Sequence, residues 1–191
     1  MHRVALLLAA ACVAFPASTS GAALRTYTFD SGTKKERETV VAALDASSFD
    51  WTLLPGSLAI HIVHGQPSRS IPHEIWLDAD LLRSGEFAWG VVQHEFGHQV
   101  DYLLLDDAER AQLLHELGGR DWCYGVPGLA HDQYGCERFA STFAWSFWPS
   151  RQNSMRPIHR GDESAAMKPV TFRALVARLT SRAASHSLEQ Y

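Results

Sequence analysis

His94-Glu95-Phe96-Gly97-His98 puts two imidazoles and a carboxylate into the pattern H-E-x-x-H. On a helix of 3.6 residues per turn, His94 and His98 fall about 40° apart around the axis and one turn apart along it. Two ring nitrogens so placed can reach one tetrahedral zinc ion. Glu95 points about 100° away from His94, too far round for a comfortable ligand. It can still lean over a water on the metal, where a general base belongs. With ten His and ten Glu in 191 residues, chance yields on the order of 0.03 such matches. The plain alternative is a buried helix whose histidines only hydrogen-bond.

A catalytic zinc takes three protein ligands and keeps one position for water. Glu137 is the best third ligand by its surroundings. Ala140, Ser141 and Ala144 follow it at i+3, i+4 and i+7, a stripe of small side chains. Gly97, inside the metal helix, costs roughly 1 kcal/mol relative to alanine. Small residues on both helices are what a close crossing needs, and such a crossing would bring Glu137 to the metal. The alternative for Glu137 is a glutamate favoured at a helix N-terminus by the macrodipole. Asp101 lies on the histidine stripe and suits a partner that orients an imidazole, or is a plain surface aspartate. His131 and Asp132, in a loop, stay open as ligands; His115 reads as solvated.

These residues need elements to hold them. Residues 86–105 read as the metal helix, with apolar Phe87, Val91, Val100 and Leu104 and no charge between Glu86 and Glu95. Residues 24–29 read as a strand. Thr33 and Glu36 form a capping box that starts a helix running to about residue 46. The alternation over 57–64 is a second strand, making a βαβ unit if the two are parallel. Residues 65–70 read as a turn. Residues 74–81 alternate again, with one apolar and one charged face, which suits an edge or half-exposed strand. Asp106 and Glu109 start a helix that Gly118-Gly119 stops. A loop over 120–132 leads to a helix over 133–148. Residues 149–167 are polar and irregular, and 169–181 read as a last amphipathic helix. The fold class is α+β, a small mixed sheet with a helical C-terminal part.

The first 23 residues read as a signal peptide: a basic Met1-His2-Arg3, twelve apolar residues to Phe15, then small residues suited to cleavage. The apolar run is too short to span a membrane. That leaves 24–191 as a single domain with no further membrane segment, secreted to the extracellular space. Seventeen Lys and Arg against 21 Asp and Glu leave a net charge of −4, no footprint for nucleic acid. A monomer is expected. Cys123 and Cys136 remain after cleavage. In an exported chain two cysteines usually pair, and such a bridge is typically worth about 2–4 kcal/mol. A cysteine-based zinc site is the weaker alternative.

At Val91, Val92, His94, Glu95, Phe96, Gly97, His98, Gln99 and Val100 the chain resembles the zincin metallopeptidases. With Glu137-Arg138-Phe139-Ala140 it resembles the gluzincin branch, most of all the lethal-factor and Pro-Pro endopeptidase type. The likeness covers the metal helix and the glutamate helix. It implies a zinc peptidase with one zinc ion on His94, His98 and Glu137, and Glu95 as general base. It also implies an edge strand along the cleft; residues 74–81 are the candidate, with Trp76 lining a substrate subsite or simply a surface tryptophan. That type carries a transition-state tyrosine two helical turns before its ligand glutamate, where this chain has Ala130. Tyr134, Tyr124 or His131 would have to serve as the oxyanion donor. The implied partner is a peptide or protein substrate. The rival readings are a zinc hydrolase of a non-protein amide, such as a cell-wall peptide, and a secreted binding protein without catalysis.

Overall fold

Local signals start most of the elements. The Thr33 hydroxyl accepts from Glu36 N–H at 3.4 Å and the Glu36 carboxylate accepts from Thr33 N–H at 2.7 Å, so two orphan donors are satisfied where helix α1 (Lys34–Asp45) begins. Asp106 and Glu109 repeat the device for α4 (Asp107–Leu117), which Gly118 ends in the left-handed conformation at φ 72°. The computed structural model describes residues 27–188, with side chains through 181. The proposed leader, 1–23, lies outside them, as does the start of the first strand.

Among the described residues the architecture is mixed α+β: six α-helices and one four-stranded mixed sheet. β1 (Tyr27–Phe29), β2 (Leu58–Val63) and β4 (Glu74–Asp78) run parallel; β3 (Arg69–Ile71) is antiparallel to β4. The order across the sheet is β1-β2-β4-β3. The remaining helices are α2 (Ala79–Leu82), α3 (Glu86–Leu104), α5 (Gly135–Phe147) and α6 (Pro169–Leu188).

One face of the sheet is dry. Leu58, Ile60, Ile62, Ile75 and Leu77 are buried, while the intervening residues stay partly exposed, the period-2 pattern of a half-covered sheet. Against the dry face lie α1 and α3, whose Val40, Leu44, Val92, Phe96 and Val100 join the same core. Beyond α3 comes α5, then α6, with Phe139 and Phe172 5.3 Å apart between them. Phe49 and Trp51 tuck under this stack, 4.9 Å from Phe143 and 5.2 Å from Phe96. No described helix is long and apolar enough to cross a membrane.

The sheet corrects one expectation. Residues 74–81 are not the edge strand. β4 lies between β2 and β3 and stops at Asp78, whose carboxylate accepts from Asp80 N–H at 2.9 Å and caps α2. The edge on that side is β3, within and just beyond the stretch read as a turn. A tight reversal at Pro72-His73, with His73 at φ 67°, folds it back on β4. Alternation reports that one face of a strand is wet; it carries no record of which strands flank it.

Candidate metal centre

α3 is the pillar of the site, and its central turns are buried from Val92 to Asp101. The helix brings His94 Nε2 and His98 Nε2 to 3.1 Å. Glu137 Oε2, from the first turn of α5, lies 3.2 Å from one and 3.3 Å from the other. The three residues are 7%, 5% and 4% exposed. Their donor atoms form a nearly equilateral triangle. A tetrahedral ion with bonds of roughly 2.0–2.2 Å needs donors about 3.3–3.6 Å apart, so the triangle would open by only a few tenths of an ångström. Two neutral imidazoles and a carboxylate are a donor set suited to a zinc-like divalent cation. Cys123, Cys136 and Glu137 also cluster, but the cysteines are joined as a disulfide and offer no thiolate.

Close contact between α3 and α5 makes the triangle possible. A Cβ on Gly97 would lie 3.1 Å from the Ala140 Cα and 3.4 Å from the Phe143 Cβ, so any side chain there presses the glutamate helix away. About two turns earlier, Gly90 admits Asn153 and Ser154, whose atoms would meet its Cβ at under 3 Å.

The field at the centre comes from both sides. Burial works against the Glu137 carboxylate, but the imidazoles of His131, His94 and His98 set against it outweigh burial and hold it far below the usual range. Tyr124 donates to Glu137 Oε1 at 2.8 Å, leaving Oε2 to face the imidazoles. Burial first, then the bond to Glu137, pushes the Tyr124 hydroxyl up. His131 Nε2 is 3.2 Å from Glu137 Oε2, and its Nδ1 is 2.5 Å from Glu163 Oε1. The two carboxylates, Glu137 first, raise the His131 imidazole to about 10. The Ser70 hydroxyl, on β3, lies 2.9 Å from Glu95 Oε2 and 3.0 Å from the Glu95 carbonyl.

Three expected site residues stand elsewhere. Asp101 does not orient an imidazole. Its carboxylate accepts from Arg110 Nε at 2.8 Å and Trp122 Nε1 at 3.2 Å, tying α4 and the following loop to α3; the buried His98 Nδ1 has no hydrogen-bond partner. Tyr134 is 3% exposed and donates to the Val126 carbonyl at 2.8 Å, so it shapes the loop instead of pointing at the metal ligands. Trp76 lies on the other face of the sheet from Ile75 and Leu77. It stacks on His61 at 4.9 Å with the Arg69 guanidinium 4.1 Å over its ring, away from α3.

Residues that the sequence reading did not single out complete the centre. Ser141, at i+4 from Glu137, lies 3.1 Å from His94 Nδ1; its place in the small-residue stripe was the available signal. Ser70 and Glu163 sit in stretches without periodicity, which gave none. The chain matches no protein-family model, no curated protein and no solved structure.

Proposed function

We propose that the chain is an exported zinc-dependent peptidase of zincin type, with His94, His98 and Glu137 holding the ion. The observation that carries this reading is the buried donor triangle closed by Glu137, with the Glu95 carboxylate on the same helical turn. Zinc held there would polarise a substrate carbonyl and make a bound water more acidic. Glu95 takes the proton from the attacking water and returns it to the leaving amine; Ser70 holds that carboxylate in place. Tyr124 and His131, both against Glu137, are the groups able to donate to the oxygen that gains negative charge. In this reading β3 would be the edge strand along the cleft; it is clamped to α3 by Gln99, which donates to the Ile71 carbonyl at 2.8 Å, and by Tyr102, which donates to the Ser70 carbonyl at 3.3 Å. The disulfide fits an oxidising compartment outside the cell.

The test is a digest of a peptide library by the purified chain, with and without a chelator, beside the Glu95→Gln variant. Cleavage that the chelator abolishes, that zinc restores and that the variant lacks is the expected result. A zinc-loaded protein that cleaves no peptide in the library would sink the peptidase reading.

A further inference from the structure

Glu163 lies outside every segment that the sequence pattern defines, on a short turn, Glu163–Ala165, packed against α5. Its carbonyl accepts from Thr142 Oγ1 at 3.1 Å, so the turn is pinned to the glutamate helix. Its side chain is 19% exposed, and the two carboxylate oxygens serve different partners. Oε1 faces His131 Nδ1 at 2.5 Å, and Oε2 accepts from the Ser141 hydroxyl at 2.7 Å.

The serine makes the second contact informative. A hydroxyl carries one proton, and an ionised carboxylate can only accept. Ser141 Oγ also lies 3.7 Å from the Met155 sulfur, a weak acceptor, so the proton goes to Glu163. Toward His94 Nδ1, 3.1 Å away, Ser141 then has only lone pairs to offer. His94 must therefore carry its proton on Nδ1. That leaves Nε2 bare, and Nε2 is the atom facing His98 and Glu137. A ring with its proton on the other nitrogen could not ligate from this position.

We propose that Glu163 is a positioning residue for both imidazoles: through Ser141 it fixes His94 with Nε2 open to the metal, and directly it holds the His131 ring against Glu137. One carboxylate on an irregular segment thus sets the orientation of a ligand and of a proposed oxyanion donor together. The His131 half rests on the peptidase reading; the His94 half needs only a metal.

The test measures zinc affinity by competition with a chromogenic chelator, and kcat at saturating zinc on a peptide the parent cleaves. Ser141→Ala and Glu163→Ala should each weaken zinc binding about 10–100-fold. Because they break one chain of bonds, the double variant should bind no more weakly than the worse single one. Glu163→Ala should also lower kcat further than Ser141→Ala does. Glu163→Gln has one acceptor oxygen for two donors, so zinc affinity or kcat can recover, but not both. Should Glu163→Ala fail to fold, the Gln variant and Ser141→Ala carry the comparison. Parent-like zinc binding by Glu163→Ala, multiplying losses in the double variant, or full recovery of both readouts in the Gln variant would overturn the proposal. Zinc losses as expected in a protein that cleaves nothing would keep the His94 half and remove the peptidase reading instead.

Discussion

Glu95 and Glu137 are both buried carboxylates beside the same two imidazoles, yet their expected roles separate cleanly. Glu137 Oε2 is a corner of the donor triangle, whereas Glu95 is held off it by Ser70. Glu95→Gln should therefore retain zinc through dialysis while losing turnover by roughly 10²–10⁴-fold, the usual worth of a general base. Glu137→Ala removes one of three protein ligands, so zinc affinity should collapse and excess metal should recover little activity. Metal content and kcat/KM on the same preparations check both. A Glu137→Ala variant that binds zinc as tightly as the parent would move attention to His131 and Asp132.

At the scale of elements, the site depends on how closely α3 and α5 cross. Gly97 against Ala140 is the contact point. In Gly97→Ala, the gain in helix propensity, about 1 kcal/mol, works against a Cβ 3.1 Å from the Ala140 Cα. Stability should change little, but the displaced glutamate helix should weaken zinc binding. Gly97→Leu has no room, and overpacking of this kind typically costs about 1–3 kcal/mol. Urea unfolding of the metal-free protein reads the first quantity and chelator competition the second. A Leu variant as stable and as tightly metal-binding as the parent would mean the helices are free to separate. β3 plays the matching part on the other side: it carries Ser70 to Glu95.

The whole molecule gathers these charges into one cluster, buried at Glu137 and open to solvent at His131, and in the metal-free state that cluster couples stability to pH. Folding raises the His131 imidazole from roughly 6.5 to about 10, through Glu137 first and then Glu163. A raised value means folding favours the protonated ring. Its contribution is fully present below about pH 6.5 and drains away as pH rises toward the folded value. Glu137 is depressed, so its contribution is present above the unfolded carboxylate value of roughly 4.3 and persists far into acid. Chelator-treated protein should lose stability between about pH 6.5 and 10, and His131→Ala should flatten that slope. A parent midpoint in denaturant that stays level across the window would contradict it. The Cys123–Cys136 bridge ties the two ends of the loop that carries Tyr124 and His131, so the groups around Glu137 are held from both the α5 and the loop side.

By itself, the sequence determined whatever depends on neighbours within a turn or two of helix or along one strand. His94, Glu95 and His98 were legible because helical geometry fixes their relation wherever the helix sits. The capping boxes at Thr33 and Asp106, the stop at Gly118 and the half-wet alternation of β2 and β4 were legible for the same local reason. Glu137 was within reach only because Gly97 and the small-residue stripe hinted at a close crossing. Tertiary structure alone decided the rest. It put β3 outside β4, turned Trp76 to the far face, gave Asp101 to Arg110, and drew Glu163 from an irregular segment to Ser141 and His131. Each of these is a contact between separate elements, not a relation within one helix or strand. Such contacts follow from how packed surfaces fit, and no local period or cap records that fit.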